Sequence, residues 1–142
     1  MTDHVTVDIW TDGACIDNGT AKAKAAWAFV TSDKGQDVEK AGHVEGKQTN
    51  NRAEAFAVYH ALLWVGKNGF QSVNIHTDSQ ITLYGVSKPA FKVKMNRDIF
   101  ERIESVIHNF DLTVSYRKVL GHGVDKNNNR ADKLANTKAM LP

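Results

Sequence analysis

The stretch Thr49–Val65, TNNRAEAFAVYHALLWV, carries an apolar stripe: Val58, Ala61, Leu62 and Val65 fall at i, i+3, i+4 and i+7. That spacing predicts a helix from about Asn51 to Lys67. Thr49 or Asn50 is its candidate N-cap, and Gly69 in "KNGF" its C-cap. Continued back one turn, the stripe arrives at Glu54. A carboxylate heading a core-facing stripe loses hydration and needs compensation, so this helix raises a chemical question as well as a structural one.

Working outward, the chain before this helix reads as β structure. "VTVDIWTD" alternates and is β-branched, which predicts a strand from Val5 to Asp12. "GACIDNGTAKAK" reads as a turn, "AAWAFVTS" as a second strand, "DKGQD" as a turn and "VEKAGHVEG" as a third strand, together an antiparallel meander. After the helix, "SVNIHTD" predicts a fourth strand from Ser72 to Asp78, and "SQITLYGV" a short helical piece. "SKPAFKVKMNR" is a basic connection containing Pro89. "DIFERIESVIHNF" predicts a helix with Ile99, Ile103, Val106 and Ile107 on one side. "LTVSYRKV" is a fifth strand, "LGHGVDKNN" a loop and "NRADKLANTKAM" a last helix. The order β-β-β-α-β-α-β-α implies an α/β protein with one mixed sheet and helices packed on it. Its later strands run parallel to the first.

The 142 residues suit a single domain, 1–142, with a sizeable core. A net charge of +2 does not by itself announce a nucleic-acid binder. One cysteine, Cys15, excludes an internal disulfide and fits a reducing compartment. The N-terminus lacks the basic and apolar segments of a signal peptide, and no apolar run approaches the ~20 residues that span a membrane. The expectation is a soluble cytoplasmic protein.

Three acids fall at predicted element ends: Asp12 closes the first strand, Asp78 closes the fourth, and Glu54 opens the long helix. Asp132 lies near the start of the last helix. Taken singly each has an ordinary explanation, as a turn former, a cap or a first-turn charge. In α/β sheets, however, sites gather outside the carboxyl ends of strands. Like charges ~4 Å apart repel by roughly 4 kcal/mol per pair at an effective dielectric of 20. A fold that gathers these acids must gain something in return, and hard divalent cations with oxygen ligands are the usual gain. Spacing alone leaves their convergence open.

Four motifs, "TDGAC", "TNNRAE", "TDSQ" and "GHG…NNNRADKLA", occur in the order seen in type I ribonuclease H. The chain resembles that family from about Val5 to Ala139. The resemblance implies the ribonuclease H fold, a five-stranded mixed sheet in the order 3-2-1-4-5 with helices on both faces. It also implies cleavage of the RNA strand of RNA–DNA hybrids with two Mg²⁺ ions, replaceable by Mn²⁺. Asp12 then bridges both ions, Asp132 holds the one that activates water, and Glu54 and Asp78 hold the one nearer the leaving 3′ oxygen. Products carry 5′-phosphate and 3′-hydroxyl ends. His122 matches the family's loop histidine, which assists proton transfer or product release. The loop departs from the commonest bacterial form, because Val124 and Asp125 follow "GHG" where a second histidine is usual. His4, His43, His60, His76 and His108 match no motif and read as structural or surface residues. Trp10, Trp27 and Trp64 read as core.

Reading RNA against DNA requires contact with the 2′-hydroxyl, which donates and accepts hydrogen bonds. Asn50, Asn51 and Gln80 match the family's amides, and Cys15 and Asn18 match positions in its substrate groove. Lys47, Thr49 and Asn96 resemble its pocket for a DNA-strand phosphate. The segment Lys88–Arg97 is too short for the family's full basic helix and reads as a reduced basic platform. All four acids and the histidine are kept, which favours an enzyme over a catalytically silent hybrid-binding module. The complete element set after Met1 favours a free-standing monomeric enzyme over the ribonuclease H domain of a viral reverse transcriptase.

Overall fold

The computed structural model describes residues 6–33, 36–119 and 125–142. The elements are β1 (Thr6–Ile16), β2 (Lys24–Asp33), β3 (Gln36–His43), α1 (Asn50–Lys67), β4 (Ser72–Thr77), α2 (Gln80–Val86), a 3₁₀ turn (Ala90–Lys92), α3 (Arg97–Asn109), β5 (Thr113–Lys118) and α4 (Lys126–Met140). The five strands form one sheet in the order β3-β2-β1-β4-β5. β1–β2 and β2–β3 are antiparallel, whereas β1–β4 and β4–β5 are parallel. The expected sheet, with helices on both faces, is what forms. Among the described residues no helix is long and apolar enough to cross a membrane.

On one face, α1 packs against β1 and β2, with α3 against its outer side. Val58, Ala61, Leu62 and Val65 are fully buried, as the stripe requires. Ala53, Ala55, Phe56 and Ala57 are buried too, because α1 is enclosed between the sheet and α3 rather than half-exposed. Thr49 is the N-cap, its hydroxyl accepting from the Arg52 N–H at 3.2 Å. At the other end the Phe70 N–H reaches the Val65 carbonyl, a closure that needs the left-handed turn at Gly69, φ +81°.

The opposite face is covered by α4, which contacts β1, β2 and β3. This layer is built from small side chains: Ala135 and Ala139 meet Ala14, Ala26 and Ala28. Ile16, Ala41 and Leu134 pack against these alanines.

Several boundaries differ from the sequence expectation. β1 does not end at Asp12 but continues through Gly13–Ile16, paired with Trp27–Lys24 of β2. This run looks like a turn because it opens with the small residues Gly13 and Ala14, and these are small because α1 rests on Gly13 and α4 packs on Ala14. A Cβ on Gly13 would lie 2.4 Å from the Glu54 backbone nitrogen. Asp12 is thus a mid-strand residue. β3 stops at His43 instead of Gly46. α4 starts one turn before the expected position, since Asp125 Oδ1 accepts from the Asn127 and Asn128 N–H groups at 2.9 and 3.0 Å. Asp132 consequently sits in the second turn. The basic connection contains the 3₁₀ turn, whose Ala90 N–H donates to Glu104 Oε2. Trp27 and Trp64 pack on the main core as expected. Trp10 belongs to neither cluster and instead stacks on His76, with ring centroids 4.5 Å apart. The loop carrying His122 lies outside the described residues.

Candidate metal and nucleic-acid site

The parallel register explains how two of the acids meet. Trp10 of β1 pairs with His76 of β4, so two residues further along each chain Asp12 and Asp78 come level. β4 stops at Thr77. Asp78 then begins the connection to α2, whose N-cap Ser79 accepts from the Thr82 N–H at 3.1 Å. Glu54 arrives from above, because Gly13 lets the first turns of α1 rest on β1. Asp12, Glu54 and Asp78 each offer one carboxylate oxygen, and the three lie within 4.8 Å of one another. Asp132 is not one of this group but faces the same cleft, a depression of about 630 Å³ that also exposes Cys15, Asn50, Asn51 and Gln80.

Asp12 is 4% and Glu54 6% exposed. The Gly13 N–H donates to Asp12 Oδ1 at 2.9 Å. Among the described residues, Glu54 Oε2 is buried and has no hydrogen-bond partner. Burial pushes the Asp12 carboxyl up to about 7, against the lowering effect of a hydrogen bond with Glu54 and with a further push from the Asp78 and Asp132 charges. Burial, followed by the charge of Asp12, holds Glu54 well above the usual carboxylate range. The site therefore retains a proton when nothing else positive is present. An unpartnered buried oxygen within a group of converging acids, all hard donors, fits a divalent cation.

This arrangement has a pH signature in metal-free protein. Both carboxyls titrate higher when folded than when unfolded. From about pH 4 upward the folded state therefore holds extra protons, and stability falls as pH rises toward 7. His60 opposes this: burial against Trp27 holds it down to about 4, so its contribution to stability rises with pH from there toward its ordinary range. Comparing wild type with Glu54→Gln cancels the histidine. In EDTA, the variant's advantage in Tm is expected to grow between pH 5 and pH 7.5. A constant difference across that range counts against the assigned environment.

The remaining sequence candidates fall into two adjoining depressions. Asn18, Lys47, Thr49 and Asn96 line a second cavity of about 870 Å³, and Asn50 and Asn51 border both. Asn18 Oδ1 accepts from the Asn50 N–H at 3.2 Å, tying the β1–β2 connection to the start of α1. The half-buried Cys15 thiol faces the Gln48 carbonyl at 3.6 Å. Thr49 spends its hydroxyl on the α1 cap.

Two features of this region escape sequence reasoning. Arg52 pairs with both Asp98 oxygens, at 3.0 and 2.8 Å. It also donates to the Glu45 carbonyl at 2.8 Å and to Asn96 Oδ1 at 3.3 Å. It thereby joins three segments and holds Asn96 in its left-handed conformation, φ +59°. Its place inside "TNNRAE" was the only signal. The second feature is Tyr84 on α2, 65% exposed at the cavity rim, with the Lys88 ammonium 3.9 Å from its ring centre.

Comparison with known proteins agrees with this geometry. The family model described as RNase H matches residues 4–140. A ribonuclease H of Chromobacterium violaceum is 35% identical, covering 96% of both chains. The crystal structure of RNase H1 from the halophilic archaeon Halobacterium salinarum aligns with a TM-score of 0.74 at 28% identity, covering 94% of this chain and 97% of that one. LC11-RNase H1, solved in complex with RNA/DNA hybrid, aligns with a TM-score of 0.73 at 24% identity over 94% of this chain and 96% of that one. A family that works with divalent metal ions, a sheet in the order 3-2-1-4-5 and an acidic cluster at its active edge all coincide in one molecule, and the chain belongs to the ribonuclease H family of enzymes.

Proposed function

We propose that the protein is a monomeric endoribonuclease that hydrolyses the RNA strand of RNA–DNA hybrids by a two-metal route, leaving 5′-phosphate and 3′-hydroxyl ends. The observation that carries this reading is the meeting of Asp12, Glu54 and Asp78 beside a trough of uncharged amides. The LC11-RNase H1 complex supports the hybrid as the substrate class. Asp12, Glu54, Asp78 and Asp132 would hold Mg²⁺, or Mn²⁺ in its place. When bound, such ions neutralise the phosphate and stabilise the attacking and leaving oxygens.

The chain's own groups divide the remaining work. Asn50, Asn51 and Gln80 are exposed amides at the cleft, able both to donate to and accept from a 2′-hydroxyl. Cys15 and Asn18 shape the groove floor and rim. Lys47, Thr49 and Asn96 receive a DNA-strand phosphate in the second cavity. Tyr84, with Lys88 and Lys92 around the same cavity, offers a small flat surface edged with positive charge, which suits sugar and phosphate of a DNA strand. His122 is assigned proton transfer or product release.

Labelled RNA–DNA hybrid, double-stranded RNA and double-stranded DNA, each with Mg²⁺ or EDTA, test the reading. Only hybrid with Mg²⁺ should be cut, and only in its RNA strand. Cleavage of DNA, or cleavage in EDTA, contradicts it. Replacing Asn51 and Gln80 together with alanine should lower kcat/KM on hybrid by on the order of 10²-fold, taking each lost polar contact as ~1–3 kcal/mol. A parallel Mg²⁺ titration should change little, since neither residue is charged. Loss of Mg²⁺ binding instead would mean that these amides are misassigned.

A further inference from the structure

We propose that Trp10 is a positioning residue for Asp132, holding the start of α4 against the strand that carries Asp12. This rests on the nuclease reading above and extends it to a residue with no part in the acidic cleft. Trp10 lies two residues before Asp12 in β1, on the same strand face as Ala14, which α4 covers. Its indole Nε1–H donates to Asp125 Oδ2 at 3.2 Å. The other oxygen of Asp125 caps α4 through the Asn127 and Asn128 N–H groups. One carboxylate thus ties the first turn of the helix to β1, and Asp132 follows in the second turn of the same helix.

The indole is itself held in place. It stacks on His76 at 4.5 Å and 11° between planes. His76 Nε2 lies 2.9 Å from Asp8 Oδ1, which also accepts from Asn74 Nδ2 at 3.0 Å. The need for such a tie follows from the interface beneath α4. The buried centre of that interface is alanine on alanine, with Leu134 and Ile16 the larger side chains packed against it, so short side chains supply little of the interlock that fixes a helix along its axis. Two other ties to α4, Arg130 to Glu39 at 2.6 Å and His43 to the Lys138 carbonyl at 3.1 Å, reach from β3. The tie at Trp10 comes from the strand whose distance to Asp132 matters.

The test uses Trp10→Phe, which keeps the stacking ring and removes the donor, and Asp125→Asn, which keeps a capping oxygen and removes the second carboxylate oxygen. In metal-free protein, either change should move the backbone amide signals of Asn127, Asn128 and Asp132. Calorimetry should show roughly tenfold weaker Mg²⁺ binding, with KM for hybrid unchanged. The combined variant should be no worse than either alone. In an Asp132→Asn background, Trp10→Phe should cost no further Mg²⁺ affinity. Unmoved amides, an equal affinity loss in the Asp132→Asn background, or additive losses in the combined variant each overturn the proposal. If wild type itself fails to bind Mg²⁺, the nuclease reading falls, and the amide signals in EDTA still decide whether Trp10 positions α4.

Discussion

Asp12→Asn is expected to abolish Mg²⁺-dependent cleavage of hybrid while leaving the fold intact. Asp12 stands between the other acids: it is within reach of Glu54 and Asp78, and the charges of Asp78 and Asp132 both act on it. Removing its charge weakens every arrangement in which these carboxylates share cations. Stability should not suffer in the same way. Without metal, the buried negative cluster is a source of repulsion and desolvation, and deleting one member relieves both. The variant's Tm in EDTA should therefore equal or exceed that of wild type, and added Mg²⁺ should no longer raise it. Near-normal Mg²⁺-dependent turnover by Asp12→Asn would exclude the assigned metal role.

Gly13→Ala is expected to have the next largest effect, by geometry rather than charge. The added methyl would meet the Glu54 nitrogen at 2.4 Å, the Ala53 carbonyl carbon at 2.6 Å and Ala53 Cβ at 2.8 Å. Two of these are backbone atoms in the first turns of α1, so no side-chain rotation relieves the clash. β1 and α1 must separate. Overpacking of this kind costs about 1–3 kcal/mol of stability, occasionally more. The same displacement carries Glu54 away from Asp12, and a shift near 1 Å in a positioned site costs on the order of 10²-fold in rate. Denaturant unfolding and single-turnover cleavage should both register the change, and excess Mg²⁺ should not restore the rate. Wild-type stability together with wild-type cleavage would show that β1 and α1 do not approach as described.

How far such a site can be read from sequence depends on whether its parts act locally. The α1 stripe repeats at helical spacing, so both the helix and the odd position of Glu54 at its head are visible in seventeen consecutive letters. Element order restricts the sheet to a mixed arrangement, and the four motifs supply the strand order by resemblance. Gly13–Ile16 misleads because small residues serve two purposes. A turn needs their freedom, and a strand beneath a helix needs their lack of bulk. Asp125 is hidden for a related reason, since its capping role requires the helix start to be known first. Arg52 and Trp10 act on partners 46 and 115 positions away, and no periodicity encodes contacts of that kind. The acids fall between these cases: their placement on elements is legible, while their convergence depends on a register visible only once β1 and β4 are paired.

That register also gives the four carboxylates unequal compliance. Asp12 is locked into a ladder, with Ala28 of β2 opposite it. Glu54 is pinned by the backbone contact above Gly13. Asp78 lies outside any strand or helix, in the two-residue link between β4 and α2, whereas Asp132 rides on α4, which Asp125 caps and joins to Trp10 of β1. Three of the carboxylates thus sit on regular elements and one, Asp78, on a short link. On the metal-site reading, a cation of larger radius would be accommodated first by movement at Asp78, while Asp12 and Glu54 stay where the sheet and α1 hold them. Adjustment to an ion's size and constancy of the site's origin would then fall to different parts of the chain.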